Sequence, residues 1–401
     1  MDIVRLGVIG VGSMGSGHVN SIGCTKVING VKIVALADPK REKLEAAQKK
    51  LADANGGEYE VALFDDYMPL LESGLVDAVL IATPHYLHPI IGIEALNRGI
   101  HVLSEKPIGV YTKKVEELYE VAKKSGKVFG IMYNQRTDPM YRKIREIVQG
   151  GELGELKRMI WIVTSWYRTQ GYYNSGGWRA TWKGEGGGVL INQCPHNLDL
   201  WQWITGMPCK IRGFLKEGQY HDIEVEDNAT IYAEYPNGAI GTFITTTGEA
   251  PGTNRLEISG TKGKLVAEDA KLTFYRLKTD EREICAVGSG ISFDKNDLEV
   301  IDVDYGDYTT LQQHKGIIQN FVNCILNGEE LIAPGYDGIN GLTISNAAML
   351  SSWTDSWVNL PIDKDLFLEK LNEKIASSKN KDVVQEKVFD TEGSYGQQQK
   401  R

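Results

Sequence analysis

The first third of the chain alternates between two hydrophobic periods. Short, nearly unbroken apolar runs stand at "RLGVIGVG" (5–12), "VKIVALAD" (31–38), "VDAVLIATP" (76–84), "HVLSEKP" (101–107) and "KVFGIMYN" (127–134). Runs without polar alternation predict strands buried on both faces. Between them, "REKLEAAQKKLADA", "HPIIGIEALNRG" and "TKKVEELYEVAKKSG" carry apolar residues at helical spacing. Gly99 closes the second of these as a C-terminal cap, and the third opens at Thr112 and closes at Gly126. Strands alternating with helices of this length predict a parallel sheet covered by helices on both sides.

After Gly150-Gly151 the period changes to two. "LKRMIWIVTSWY", "KIRGFLKEGQY", "NATIYAEYPNGAIGTFITTT", "NRLEISGTKGKLVAED" and "LTFYRLK" alternate and are broken by Asn-Gly and Thr-Lys-Gly turns, which predicts a large, mostly antiparallel open sheet. "QQHKGIIQNFVNCILNGEE" and "GINGLTISNAAMLSSWTDSW" return to helix. The fold class is therefore α/β. Residues 1–134 are expected to form a Rossmann dinucleotide-binding domain and residues 135–362 a substrate-binding and oligomerisation domain. Residues 363–401 read as a charged tail with one helix, "LFLEKLNEKIASS". The last twenty or so residues of that tail are expected to be mobile or to act as an arm in assembly.

The length of 401 residues suits two domains with a large core. A net charge of −9 argues against nucleic acid as a partner, because phosphate binding needs a concentrated basic surface. No apolar stretch reaches the ~18–20 residues of a membrane span. The opening "MDIVRLGVIGVG" runs straight into a strand without a signal-peptide layout, so the expected location is the cytoplasm. The five cysteines (Cys24, Cys194, Cys209, Cys285, Cys324) are scattered and form no CxxC pair, which suits free thiols in a reducing compartment. His85, His88 and His101 cluster in sequence, but they lack Cys and carboxylate partners at ligand spacing, so no metal is expected.

Within this frame the glycines of Gly10-Val11-Gly12-Ser13-Met14-Gly15 acquire a meaning. They follow a strand and precede a helical segment, the setting in which this spacing cradles a pyrophosphate. Asp38 ends the second strand, where it would bond the adenine ribose and disfavour a 2′-phosphate, so NAD is expected over NADP. Lys40 and Arg41 follow at once and weaken that preference. Arg41, Thr83, Pro84, His88, Glu105 and Lys106 complete the expected cofactor site.

Three further stretches carry candidate chemistry. Lys106, in "SEKPIG", ends a sheet strand, where an ammonium could bond a reacting hydroxyl and stabilise alkoxide character. His196, in "GGGVLINQCPHNLDL", lies four residues after Asn192 and three before Asp199. A helix from Leu190 to Trp203 would put all three on one face, with the imidazole as proton acceptor. "WIVTSWYRTQGYYNSGGWRATW" (161–182) holds half of the eight tryptophans. Its rings could stack on a sugar or an aryl group, or equally form packed core or a subunit contact. Tyr133, Tyr167, Trp178 and Arg179 join Lys106, Asn192 and His196 as candidate substrate contacts, the last three being also the candidate catalytic residues.

In combination, "GVIGVGSMG", "EKP", the glycine-rich "GGGVLINQCPHNLDL" and "NGEELIAPGYDGINGLTISNAAMLSSWTDSWVNLPID" resemble the Gfo/Idh/MocA family over nearly the whole chain. That resemblance implies NAD(P) at the junction of the two domains, a sugar or polyol substrate, and a homo-oligomer built through the second sheet. It assigns Lys106 to the substrate hydroxyl and His196 to catalysis, and it implies a supporting role for Asp199. Two departures stand out. Asn192 replaces an aspartate found in many members, and His85 stands where relatives often carry Asn. The "NQCPHNLDLWQW" segment is similar to a branch acting on glucosides, including oxidation at the 3-hydroxyl. Two other activities fit the same fold: redox-neutral glycoside cleavage with tightly bound NAD, and non-catalytic sensing of a dinucleotide or sugar. A sensor would need neither Lys106 nor His196.

Overall fold

The computed structural model describes residues 2–287, 290–379 and 381. Six strands form the first sheet: β1 (Val4–Ile9), β2 (Val31–Ala37), β3 (Ala62–Phe64), β4 (Ala78–Ile81), β5 (His101–Ser104) and β6 (Phe129–Ile131). All pairings are parallel and the order is β3-β2-β1-β4-β5-β6. That is the doubly wound order, in which ligands sit beyond the carboxyl ends of the strands. The five anticipated strands are present. β3 adds a sixth that the pattern did not predict, because three residues are too few to show a period. The three expected helices run Arg41–Ala54, Leu87–Asn97 and Thr112–Ser125, and the last is stopped by Gly126 at φ +64.

The second sheet has nine strands: β7 (Leu156–Val163), β8 (Lys210–Glu217), β9 (Glu226–Glu234), β10 (Ile240–Thr246), β11 (Asn254–Gly260), β12 (Gly263–Glu268), β13 (Lys271–Leu277), β14 (Leu298–Asp302) and β15 (Val358–Asn359). Its order is β14-β13-β12-β11-β7-β10-β9-β8-β15, and only the β7–β10 pair is parallel. One face is covered. The helix Gly338–Thr354 lies on β8, and the helix Pro195–Thr205 packs against it. Under this layer, Trp201 stacks on Phe243 with centroids 5.6 Å apart and Trp161 meets Phe243 edge-on at 6.2 Å. Such pairs add about 0.5–1.5 kcal/mol beyond their buried area. The other face carries Ile160, Ile162, Ile244 and Phe214, partly or fully exposed.

The chain then turns back. The helix Gln313–Asn327 packs beside β1, and Ile131 N–H bonds the Ala333 carbonyl at 3.0 Å. The expected tail helix spans Lys364–Ser377 and buries Phe367, which stacks on Trp353 at 5.5 Å. The expectation of a mobile or assembling C-terminus falls on residues 382–401, outside the described residues. Among the described residues, no helix is long and apolar enough to cross a membrane.

Candidate active site

The loops that leave the carboxyl ends of β1, β2, β4, β5 and β6 carry Gly10–Gly15, Asp38, Thr83-Pro84, Glu105-Lys106 and Tyr133, so the parallel sheet gathers them along one edge. The glycine loop is shaped by contact as well as by turn geometry. Gly10 sits at φ +88 and a Cβ there would lie 2.6 Å from the Ala82 carbonyl oxygen. A Cβ on Gly15 would lie 1.8 Å from the Gly10 carbonyl oxygen. Gly12 has nothing within 4 Å of the position a Cβ would take, so its backbone is open to a ligand. Ser13 and Met14 follow in the first turn of the helix Ser13–Val19. Asp38 accepts hydrogen bonds from Val11 N–H at 2.8 Å and Lys40 N–H at 2.9 Å, so its carboxylate also braces the glycine loop. Arg41 is turned to the surface, toward Glu45 and Asp65. Thr83 Oγ1 is buried with no protein partner among the described residues. An unpaired buried hydroxyl costs about 1–3 kcal/mol, so this atom is set to bond a ligand. These residues fit a dinucleotide.

Behind the loops, buried polar contacts fix the site. His88 places Nδ1 2.6 Å from the Pro107 carbonyl and Nε2 2.7 Å from the Thr83 carbonyl. It therefore clips the β4 loop to the β5 loop, and both ring edges are engaged within the protein instead of facing a cofactor. Glu105 accepts from His18 at 2.7 Å and from its neighbour Lys106 N–H at 3.1 Å. Burial pushes its carboxyl up, but the hydrogen bond and charge of His18 prevail and hold it at about 2.

Lys106 follows, joined to Pro107 by a cis peptide bond. Its Nζ donates to the Asn192 backbone carbonyl at 2.8 Å, which ties the first sheet to the glycine-rich segment of the second domain. Burial, opposed by Glu105, lowers the ammonium below the usual lysine range. His196 is buried one residue into the helix Pro195–Thr205. Tyr133 meets its ring edge-on at 6.3 Å, and the Tyr133 hydroxyl donates to the Gly338 carbonyl at 3.3 Å. Burial and then the charge of Lys106 push the imidazole well below its ordinary range, so it is neutral near pH 7.

The helix begins at Pro195 and not at Leu190, so Asn192 lies in the preceding turn and does not share a helix face with His196. Pro195 sets this start, since proline favours the first helical position. Asp199 does not support His196 either. It is paired with Arg136, which donates from Nε at 2.8 Å and Nη2 at 2.6 Å, both residues being 1% exposed. Arg136 also reaches Asp337 at 2.6 Å. Burial opposes the charge of the guanidinium, but the two carboxylates hold it above its ordinary value.

The glycines of residues 186–188 let this segment press into the cleft. Gly186 sits at φ +81 with a Cβ position 2.3 Å from Val110, and at Gly188 the same position is 1.9 Å from the Glu226 carbonyl oxygen. The Glu226 side chain, fully buried, accepts from Gly188 N–H at 2.9 Å and Leu190 N–H at 3.1 Å.

The aromatic stretch divides. Trp161, Trp166, Tyr173 and Trp182 are buried in the core. Trp178, Arg179 and Tyr172 are part-exposed and form one cluster. The Arg179 guanidinium lies over both rings, 4.6 Å from Trp178 and 4.7 Å from Tyr172. Tyr167 is 48% exposed. His85 contacts Trp178 edge-on at 5.5 Å and bonds the Glu185 carbonyl at 3.1 Å.

Two residues at the heart of this cluster are not among the candidate site residues, although Tyr172 belongs to the aromatic stretch expected to stack on a sugar. Tyr172 Oη receives Arg179 at 2.9 Å and the Asn192 amide at 3.2 Å. Glu185, 1% exposed, accepts from the Asn192 amide through one oxygen and from Ala180 N–H through the other. Ala180 takes a left-handed φ of +52 to aim that N–H. Glu185 stands beside a glycine run, which hid a buried carboxylate in what reads as a turn.

Comparisons with known proteins agree with this architecture. Residues 4–133 match the model described as an oxidoreductase family with an NAD-binding Rossmann fold, and residues 141–266 match the GFO/IDH/MocA C-terminal domain. The chain is 26% identical to the myo-inositol 2-dehydrogenase of Thermotoga maritima, over 70% of this chain and 79% of that one. It is 22% identical to the levoglucosan dehydrogenase of Pseudarthrobacter phenanthrenivorans, over 90% and 99% respectively. The crystal structure of the WlbA dehydrogenase from Bordetella pertussis, in complex with NADH and UDP-GlcNAcA, superposes with a TM-score of 0.72 at 23% identity, covering 90% of this chain and 100% of that one. An NAD-binding domain joined to this second domain identifies the chain as a member of the Gfo/Idh/MocA family of oxidoreductases.

Proposed function

We propose that the protein oxidises a secondary hydroxyl of a sugar, polyol or glycoside, with NAD as the hydride acceptor. The observation that carries this reading is the meeting of two buried groups: Lys106, at the carboxyl edge of the dinucleotide sheet, bonds the Asn192 carbonyl four residues before His196, which is itself buried at the start of its helix. The relatives named above include dehydrogenases of inositol and levoglucosan, both polyhydroxylated rings. Gly10, Gly12, Gly15, Ser13, Asp38 and Thr83 would hold the dinucleotide, whose nicotinamide supplies the hydride-accepting carbon when bound.

His196 takes the hydroxyl proton as the C–H bond breaks. Lys106 donates a hydrogen bond to the same oxygen and stabilises its developing negative charge. Its grip on the Asn192 carbonyl fixes the ammonium before substrate arrives, so little reorganisation accompanies reaction. Asn192 orients a neighbouring hydroxyl. The part-exposed rings of Trp178 and Tyr172, with Arg179 between them, offer an apolar face and a cation to a sugar ring. The glucoside 3-hydroxyl is the sharpest version of this proposal. The half-exposed apolar face of the nine-stranded sheet supports a homo-oligomer built there.

The test is incubation with NAD and a panel of hexoses, inositols and glucosides. NADH absorbance and product mass are both followed, because retained cofactor gives no bulk signal. A keto product two mass units lighter is expected. Absence of both NADH and keto product across the panel overturns the reading.

A further inference from the structure

Asn192 is the polar side chain of this cleft with the least obvious use, since an amide cannot serve as a proton acceptor. Its surroundings define its task. The side-chain Nδ2 has two hydrogens, and both are consumed inside the protein, one by Glu185 Oε1 and one by Tyr172 Oη at 3.2 Å. The amide therefore retains one group for other partners, the acceptor Oδ1.

An amide alone has no intrinsic reason to choose this orientation. Turning it over exchanges donor and acceptor at almost no steric cost. What makes the choice is the group facing it. Glu185 is acceptor-only when ionised, and it would repel Oδ1. Its second oxygen accepts Ala180 N–H and its carbonyl bonds His85 Nδ1 at 3.1 Å. Both carboxylate oxygens are thus engaged, and the residue's main chain is held separately. Burial pushes its carboxyl above the usual range, opposed by the Arg179 guanidinium and by the hydrogen bonds it accepts from Ala180 N–H and the Asn192 amide.

We propose that Glu185 is a positioning residue of this active site: its buried carboxylate fixes the Asn192 amide with Nδ2 turned into the protein, so that Oδ1 meets a substrate hydroxyl as a hydrogen-bond acceptor. The site thereby prefers a ring with a free hydroxyl next to the oxidised carbon, where a deoxy or O-alkylated neighbour has no hydrogen to give. The inference rests on the reading of His196 and Lys106 as the centre of an alcohol oxidation.

The test uses the full-length protein and whichever hexose, inositol or glucoside is oxidised fastest. Glu185→Ala should lower kcat/KM about 10- to 100-fold, the range for losing an ionic hydrogen bond that positions substrate. Most of that loss should lie in KM, and NAD affinity should stay within about twofold. Glu185→Gln keeps one acceptor oxygen for two N–H donors, those of Ala180 and Asn192, and should recover only part of the loss. Asn192→Asp places two carboxylates together and should be impaired. Adding Glu185→Gln to it should restore at least about tenfold, because the charge has only moved along the pair.

Thermal unfolding of each variant shows whether it is folded. If wild type oxidises no panel member, the functional reading falls and this inference with it. If wild type is active and folded Glu185→Ala retains normal KM and kcat, or the double variant shows no rescue, the role of Glu185 alone is overturned.

Discussion

Replacing Asp199 with Asn removes one of the two carboxylates that hold Arg136. Both members of the pair are 1% exposed and joined by two short hydrogen bonds, at 2.8 and 2.6 Å, and Gln202 adds a third bond to Asp199 at 3.0 Å. Breaking a buried pair by removing one partner costs about 3–5 kcal/mol, since the remaining charge is stranded in a low-dielectric core. Asp337 still reaches the guanidinium at 2.6 Å and is 36% exposed, which relieves part of that penalty and puts the expected loss near the lower bound. For a domain of ~150–250 residues each kcal/mol lowers Tm by about 2–4 °C, so about 3 kcal/mol corresponds to about 6–12 °C.

The assay is thermal unfolding by circular dichroism, paired with steady-state kinetics at a temperature well below the variant's transition. There the variant should keep kcat and KM within about threefold, because Asp199 touches Arg136 and not His196. A double change, Arg136→Met with Asp199→Leu, should unfold at a higher temperature than Asp199→Asn, as uncharged groups of similar volume leave nothing unpaired. A Tm within 2 °C of wild type, or lost turnover at unchanged Tm, would refute the reasoning and return Asp199 to the chemistry.

Four other outcomes are expected. His196→Ala should lower kcat by about 10²–10⁴-fold while NAD affinity by fluorescence titration stays near wild type; near-normal kcat would remove His196 from the mechanism. Because burial and Lys106 depress His196 below the ordinary imidazole value of 6.5, the acid limb of kcat/KM should fall below that pH, and a limb at or above it would contradict the assignment. Asp38→Ala should weaken NAD binding at least about tenfold, since the carboxylate braces the glycine loop through Val11 and Lys40; unchanged affinity by calorimetry would count against it. Burial pushes the Glu226 carboxyl up to about 8 from an ordinary 4.5. The folded state then binds this proton more tightly than the unfolded state. The resulting stability is complete below pH 4.5 and is lost as pH rises through 8. Glu226→Gln should flatten that part of the stability profile, and an unaltered profile would show that Glu226 is ionised throughout.

The first sheet was legible because its strands are buried on both faces and its helices carry clear stops. β14 was not, because its five residues are half-exposed and show no apolar face. The helix Pro139–Gln149 was also overlooked, although Asp138 caps it and Pro139 opens it, the second signal being the one that starts Pro195–Thr205. Lys106 and His196 could be chosen from sequence because each sits at a place the fold makes special. The partners of Asp199 and Asn192 could not. Arg136 lies 63 residues from Asp199 in sequence, and only the packed structure shows that it claims both carboxylate oxygens. Helical spacing suggested a shared face for Asn192 and His196, but Pro195 places the helix start between them. His88 was read as lining the cofactor. Its two short contacts to carbonyl oxygens make it a clip between loops.

The two walls of the cleft differ in what evolution can do with them. On the side of residues 186–188 the surface is bare main chain pressed against Val110 and the Glu226 carbonyl, so adding a single methyl group forces the segment away from its support. That wall has no side chains to exchange. Beside it, Tyr167, Trp178 and Arg179 project from a segment without regular strand pairing and are partly exposed. A laboratory search for altered substrate scope would therefore draw its diversity from the second wall alone, while the first holds the reaction geometry constant. The enzyme can be retuned to a new ring without rebuilding the machinery that oxidises it.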